Sequence, residues 1–218
     1  MLVINMDSQE VHYLCKNDPE LAKVIELIGD IQIQIRGNYY SSLVQSIIGQ
    51  LISVKAANTI RERVFTACEG EITPGKIESM DEHTLKKLGF SKQKIASLRD
   101  LTERVQNGEL PLEELDYLSD EEIMSRLTAV RGIGPWTAEM FLIFSMQRMN
   151  ILSLADVGLQ RAAKWLYGYN ETDGKKLLLE KSVQWEPYKT IASFYLWRII
   201  DDDHIRKDKG EVIHPKIN

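Results

Sequence analysis

The fold of this chain can be deduced from one stretch, Leu127-Thr-Ala-Val-Arg-Gly-Ile-Gly-Pro-Trp-Thr-Ala-Glu-Met140. Apolar or small residues recur with helical spacing on both sides of its glycines, at Ile123, Leu127 and Val130 and then at Ala138, Phe141, Leu142, Ser145 and Met146. Gly132 and Gly134 permit a tight turn with positive φ, and Pro135 suits the first position of a helix. The stretch therefore predicts two helices joined by a hairpin, with helix N–H groups at the turn that attract an anion such as phosphate.

The segments that flank the hairpin contain clear helix starts. Ser119-Asp-Glu-Glu122 is a capping box, so the first hairpin helix should begin at Asp120. Downstream, Asp156 in Leu154-Ala-Asp-Val-Gly-Leu159 should open another helix. An aspartate at such a position is a favoured N-cap, so on its own it has a structural explanation.

Most of the remaining chain is also predicted to be helical. Further helix starts are expected at Asp18-Pro19, Thr73-Pro74, Asp81, Ser91, Thr172 and Pro187. Gly49 is unfavourable inside a helix, and a break there, with Ser53 capping a new helix, leaves Gln50 and Leu51 on a protruding turn. The alternative is one continuous helix with Leu51 in the core. Ile31–Ile35 alternates like a strand, but no partner strand is evident, so we interpret it as an extended linker.

Composition limits the class of protein. The chain has 218 residues, enough for one compact domain or two small lobes, and its two cysteines fit no metal spacing. No apolar run reaches the roughly 18 residues that span a membrane, and no secretory signal is evident, so a cytoplasmic protein is expected. The net charge of −5 opposes a broad nucleic-acid surface, but not a local basic patch. The candidates for such a patch are Lys55, Arg61, Lys92, Lys94, Arg131 and Arg161.

The hairpin together with the downstream Asp156 resembles the helix-hairpin-helix DNA glycosylase superfamily. Gly49-Gln-Leu-Ile-Ser53 is very similar to the wedge turn of its 3-methyladenine DNA glycosylase II branch, which repairs alkylated bases. The resemblance covers about residues 38–200. It implies an all-α fold of two helical lobes: residues 38–150, with the helix-hairpin-helix at about 119–147, and residues 1–37 plus 151–218.

The resemblance also implies a role for individual residues. Asp156 would be the catalytic carboxylate, and Leu51 with Gln50 would form the wedge that fills the gap left by a flipped base. Trp136, Trp197 and Met140 would line the base pocket, although the larger bacterial enzyme has a tyrosine at the position of Met140. The backbone N–H groups of Gly132, Gly134 and Thr137 would hold phosphate.

One position separates two types of glycosylase in this superfamily. Members that also nick the strand carry a lysine directly after the hairpin, whose amine attacks the sugar as a covalent nucleophile. This chain has Trp136 there, and an indole cannot form a Schiff base. A monofunctional, water-using enzyme without lyase activity is therefore expected.

These observations predict a base-excision DNA glycosylase for alkylated purines such as 3-methyladenine and 7-methylguanine. The expected partner is double-stranded DNA with damaged bases; no membrane, cofactor or metal is expected, and the protein should be a monomer. Asp201-Asp-Asp-His204 is interpreted as a solvated helix end rather than a metal site. The alternatives are a non-catalytic DNA-binding or damage-sensing module, and a glycosylase for oxidised or deaminated bases on the same scaffold.

Overall fold

The computed structural model of this chain describes residues 1–168 and 173–201. Over these residues it is mostly helical, as predicted. The strands are β1 (Leu2–Ile4) and β2 (Ile31–Ile33), and the α-helices are α1 (Gln9–Asn17), α2 (Pro19–Ile28), α3 (Tyr39–Gly49), α4 (Val54–Ala67), α5 (Pro74–Glu78), α6 (Glu82–Leu88), α7 (Lys92–Gln106), α8 (Asp120–Thr128), α9 (Pro135–Phe144), α10 (Val157–Tyr167), α11 (Gly174–Ser182) and α12 (Lys189–Asp201). Short 3₁₀ helices cover Leu112–Tyr117 and Val183–Trp185.

The chain divides into two compact units. The central unit is the continuous segment Arg36–Met146, and the terminal unit combines Met1–Ile35 with Gln147–Asn218. Each has its own buried apolar core.

In the central unit, α8 and α9 form the predicted helix-hairpin-helix. Its apolar stripe is fully buried at Ile123, Leu127, Phe141 and Leu142. Burial of these large side chains, each contributing about 1.5–3 kcal/mol, packs the two helices against each other and α9 against α3. The hairpin is therefore anchored at both ends by well-packed helices.

The terminal unit contains a buried carboxylate, Asp18, which the sequence predicted correctly as a helix cap but not as a buried group. Asp18 is 1% exposed and caps α2 through its Oδ1, which accepts from the backbone N–H of Leu21 at 3.1 Å. Its Oδ2 accepts from the Tyr167 hydroxyl, from Gln184 Nε2 at 2.7 Å and from Trp185 Nε1 at 2.7 Å. These bonds compensate the burial of the charge and tie α10 to α2.

Two local predictions were wrong. The Ile31–Ile33 segment is a strand and not a linker, because it pairs antiparallel with Leu2–Ile4, in the register Leu2 opposite Ile33. Pro187 does not open a helix, since α12 begins at Lys189. The predicted start at Thr172 falls outside the described residues, and Asp173 caps α11.

Several predicted helix starts are confirmed. The side chains of Ser53, Thr73, Asp81, Ser91 and Ser119 each accept a hydrogen bond from a backbone N–H in the first turn that follows. Ser119 and Glu122 form the full capping box. Such caps depend on neighbouring residues alone, which is why the sequence reveals them.

Candidate active site and DNA-binding elements

The hairpin between α8 and α9 is shaped by Gly132. This residue has φ +78°, and a Cβ on it would overlap the hydroxyl of Ser97. Gly134 differs from the prediction: its φ is −90°, so only one of the two glycines uses the left-handed region. As the N-cap of α9, Gly134 has no side chain to accept from the first-turn N–H groups. A Cβ at this position would meet no atom within 4 Å. The start of α9 is therefore shaped to receive an external acceptor.

Helix α7 anchors the hairpin through a hydrogen bond from the hairpin backbone. The backbone N–H of Arg131 donates to Asp100 Oδ2 at 2.7 Å, and the same carboxylate oxygen accepts from Arg104 Nε at 3.1 Å. Neither Asp100 nor Ser97 stood out in the sequence, because their contacts lie about 30 residues away along the chain. Together they fix the backbone that would meet phosphate.

The predicted turn between α3 and α4 is confirmed. Leu51 is completely exposed, and its φ of +57° places a leucine in the left-handed region. This excludes the alternative in which Leu51 is part of the core. Ile52 and Val54 are also exposed, at 37% and 75%, so the turn presents an apolar tip to solvent.

Gln50 lies beside Leu51 but is engaged differently. Its Nε2 donates to the carbonyl oxygen of Gly132 at 2.8 Å, which joins the turn to the hairpin. The ammonium of Lys94 donates to the carbonyl of Ile48 at 2.7 Å at the end of α3. Burial lowers the pKa of Lys94.

A cavity of about 530 Å³ lies within the central unit between this turn, the hairpin and the start of α7. Its lining includes the cationic side chains of Lys94 and Arg131, the amides of Gln50 and Gln93, and the apolar Ile52 and Ile60. The six basic residues predicted to meet phosphate are thus not equivalent. Lys55, Lys92, Arg131 and Arg161 are exposed, whereas Lys94 and Arg61 are half-buried and bind neighbouring protein groups.

The two predicted pocket residues on α9 differ in exposure. Trp136 is 48% exposed on the first turn of the helix. Met140 lies one turn further and is only 6% exposed. Thr137, predicted to offer its N–H to phosphate, has a buried side chain in the same first turn. Of the two pocket candidates, Trp136 is the one that presents a large surface.

In the terminal unit, Asp156 occupies the N-cap of α10 as predicted. Its Oδ1 accepts from the backbone N–H of Leu159 at 2.9 Å and from the indole Nε1 of Trp197 at 3.2 Å. The structure therefore brings together two predicted site residues that are 41 positions apart. Both donors stabilise a negative charge on the carboxylate.

Gly158 makes room for this pair. A Cβ on Gly158 would lie 3.0 Å from Asp156 Oδ1 and 3.7 Å from Trp197 Cδ1. Because a contact of 3.0 Å is tighter than ordinary van der Waals contact, a side chain here would push the carboxylate away by a few tenths of an ångström. Gly158 was part of the quoted motif, but its role could not be predicted without the position of α12.

The loop before Asp156 is also fixed. The hydroxyl of Thr190, at the start of α12, accepts from the backbone N–H of Ile151 at 3.0 Å and donates to the carbonyl of Arg148 at 2.7 Å. Gln160 Nε2 donates to the carbonyl of Leu154 at 2.8 Å. These bonds anchor the loop before Asp156 to α12, which carries Trp197, and to α10, which Asp156 caps.

The structure shows no group of three or more potential metal ligands among residues 1–168 and 173–201. The Asp201–His204 segment lies outside the described side chains. In the same described ranges, none of the helices has both the length and the hydropathy to cross a membrane.

Comparison with known protein families identifies the chain. Residues 44–187 match the model described as HhH-GPD superfamily base excision DNA repair protein. This chain belongs to the HhH-GPD superfamily. The hairpin α8–α9 and Asp156 both lie inside the matched segment.

Several relatives from this superfamily are similar over most of the chain. A Bacillus subtilis protein, "Putative DNA-3-methyladenine glycosylase YfjP", is 37% identical over 170 residues; the match covers 74% of this chain and 59% of that protein. The Schizosaccharomyces pombe DNA-3-methyladenine glycosylase 1 is 32% identical over 203 residues, 90% of this chain and 89% of the relative.

Solved structures agree with this assignment. The DNA-3-methyladenine glycosidase from Bacillus halodurans superposes with a TM-score of 0.86 at 42% identity, covering 91% of this chain and 92% of its own. The Schizosaccharomyces pombe 3-methyladenine DNA glycosylase, solved in complex with abasic DNA, gives a TM-score of 0.80 at 30% identity, covering 89% and 97%.

Proposed function

We propose that this HhH-GPD protein is a monofunctional DNA glycosylase that releases alkylated purines, of the 3-methyladenine and 7-methylguanine type, from double-stranded DNA. The observation that carries the proposal is the Asp156 carboxylate, which is held by a helix N–H and by the indole of Trp197. The relatives named DNA-3-methyladenine glycosylase support the same activity and substrate class.

The chemistry follows from the charge of the transition state. Cleavage of the bond between base and sugar places positive charge on the sugar, as in glycoside hydrolysis generally. A fixed carboxylate stabilises that charge without having to reorganise, and it can also accept a proton from attacking water. Asp156 fills both roles in this proposal. The N–H of Leu159 and the indole N–H of Trp197 fix the direction of the carboxylate before substrate arrives.

The identity of residue 136 argues for water as the nucleophile. Strand cleavage through a Schiff base needs an amine next to the hairpin. Trp136 has none, and its exposed ring offers a flat apolar surface instead. We therefore expect excision to stop at the abasic site.

The two tryptophans also suggest the substrate. A flipped base is recognised partly by stacking on aromatic side chains. The electron-rich face of an indole favours a cation by about 0.5–2 kcal/mol. Purines alkylated on a ring nitrogen carry a positive charge, whereas normal purines do not. Trp136 and Trp197 would thus favour the damaged base.

The central unit supplies the DNA-binding elements of the proposal. The N–H groups of Gly132, Gly134 and Thr137 at the hairpin would bind backbone phosphate. Leu51 would enter the duplex where the damaged base has left, as apolar wedges do in other DNA-bending proteins. Its full exposure on a protruding turn suits that role.

The experiment is base release from methylated duplex DNA, followed by a test for strand breaks with and without hot alkali. We expect 3-methyladenine and 7-methylguanine in the supernatant, with breaks appearing only after alkali, and no release from unmethylated DNA. Breaks without alkali would contradict the monofunctional mechanism. Release of 8-oxoguanine, uracil or hypoxanthine instead would reassign the substrate. Tight binding without any release would favour a non-catalytic DNA-binding module.

A further inference from the structure

The turn that carries Leu51 is strained. Leu51 has φ +57°, a region that a leucine adopts only when its surroundings impose it. The side chain itself is completely exposed, so it makes little contact that could hold the backbone there. The conformation must therefore be fixed by the residues on either side of it.

Two long-range hydrogen bonds flank the strained residue. Before it, Lys94 from α7 donates to the carbonyl of Ile48 at 2.7 Å. Next to it, Gln50 donates its amide N–H to the carbonyl of Gly132 at 2.8 Å. The second bond spans 82 positions of the chain and ends in the hairpin itself.

Gly132 is a well-fixed acceptor for this bond. Its backbone is confined by the Ser97 hydroxyl, which leaves no room for a Cβ. The preceding residue, Arg131, is anchored through its N–H to Asp100. A side chain bonded to the Gly132 carbonyl is therefore bonded to a part of the hairpin that α7 holds in place.

We propose that Gln50 is a positioning residue that joins the wedge turn to the hairpin, so that Leu51 is held at a fixed place relative to the N–H groups that bind phosphate. This inference rests on the proposed function and deepens it. In this view Gln50 does not enter the duplex, since its side chain is held at the hairpin by the bond from Nε2 to the Gly132 carbonyl. Binding of phosphate at the hairpin then also places Leu51 for insertion into the duplex.

The proposal predicts which step suffers when the bond is lost. Without its tether, the Leu51 turn can relax, and the wedge no longer enters the duplex in register with the bound phosphate. Extrusion of a paired base should become slower. Cleavage at Asp156 and binding of the hairpin to undamaged DNA should change little, because neither depends on Leu51.

The test compares Gln50→Leu and Gln50→Glu with the wild-type chain. Both variants keep the size of the side chain and remove its donor. The matched control is Gln106→Leu, which makes the same change at an exposed glutamine at the end of α7, outside the cavity lining. Single-turnover excision is measured on a methylated base in a fully paired duplex, and on the same base opposite an abasic site, where no partner base must be displaced.

We expect both Gln50 variants to lose about tenfold on the paired substrate, the factor that corresponds to one hydrogen bond of about 1.4 kcal/mol. On the unpaired substrate they should match the wild type, as should the control on both. An equal loss on the two substrates, or no loss on either, would overturn the proposal.

A failure of the proposed function can be told apart from a failure of this inference. If the wild-type chain releases no base, the glycosylase proposal fails. The role of Gln50 is then measured with 2-aminopurine paired with thymine in a duplex, where the fluorescence of 2-aminopurine rises when a wedge unstacks it. A smaller rise with Gln50→Leu than with Gln106→Leu supports the tether, and an equal rise excludes it.

Discussion

Trp197 donates its indole N–H to Oδ1 of Asp156 at 3.2 Å, the same oxygen that caps helix α10. The tryptophan was expected only to line a base pocket. The structure shows that it also contacts the carboxylate, so that recognition of the base and orientation of the catalytic group share one side chain in the proposed mechanism. The first two predictions follow from this contact.

Trp197→Phe keeps an aromatic ring and removes the N–H. Hydrogen bonds to charged groups are worth about 1.5–3 kcal/mol, so the rate of excision at saturating DNA should fall by about ten- to a hundredfold. The KM for DNA should change less, because the ring that stacks on the base remains. The two constants can be separated with a methylated oligonucleotide. A variant with a normal rate and a raised KM would show that Trp197 acts in binding only.

Gly158→Ala tests the space around Asp156. The new methyl group would lie 3.0 Å from Oδ1, so the carboxylate must shift by a few tenths of an ångström. Misplaced catalytic groups commonly cost about a hundredfold or less, and we expect a slower rate with unchanged DNA affinity. The matched control is Gly75→Ala, because Gly75 is also the second residue of its helix and has open space around it. Equal rates for both variants would argue against this constraint.

The hairpin glycines should differ in their tolerance. Gly132→Ala places a Cβ at φ +78° and against Ser97, which should cost about 1–3 kcal/mol of folding free energy and weaken DNA binding. In Gly134→Ala the new Cβ has no atom within 4 Å, so the free energy of unfolding should stay within about 1 kcal/mol of the wild-type value. Urea unfolding of the two variants provides the comparison. Similar losses at both positions would show that backbone freedom at Gly134 matters more than its φ suggests.

Stability should fall at alkaline pH because of buried tyrosines. Burial raises the pKa of Tyr195 from 10.0 to about 12 and raises that of Tyr167 above its ordinary value, where the charge of Asp18 adds to the effect. Above pH 10 the tyrosines of the unfolded chain lose their protons, whereas Tyr195 of the folded chain keeps its proton until about pH 12. The free energy of unfolding therefore decreases as the pH rises above 10. Tyr195→Phe should reduce that slope in urea titrations between pH 9 and 12. A slope that is unchanged in this variant would contradict the assignment.

The sequence predicted best what depends on neighbouring residues. Ser53, Ser119 and Asp156 were identified as caps because a cap bonds to an N–H two or three residues away. The break at Gly49 and the exposed Leu51 followed from the cost of glycine inside a helix. The residue roles themselves came from the resemblance and remain proposals.

Contacts that span the chain were not predictable. The sequence did not reveal β1, because a strand of three residues is too short to show a periodic pattern. Without β1, the strand at Ile31–Ile33 had no predicted partner. The bond from Gln50 to Gly132 and that from Trp197 to Asp156 join segments that only tertiary packing brings together. A single sequence contains no local signal for either pair.

The most direct test of the account is Asp156→Asn. Asparagine caps a helix about as well as aspartate, so folding stability should change by less than about 1 kcal/mol. The loss of the negative charge should slow excision of 3-methyladenine by about a hundredfold or more, with DNA affinity retained. The matched control is Asp81→Asn, the same change at the N-cap of α6.

The measurement is single-turnover base release, with DNA affinity determined on the same oligonucleotide. The account predicts that Asp156→Asn binds DNA and barely excises, while Asp81→Asn behaves like the wild type. Excision by Asp156→Asn at the wild-type rate would contradict the central claim that this carboxylate drives the cleavage of the glycosidic bond.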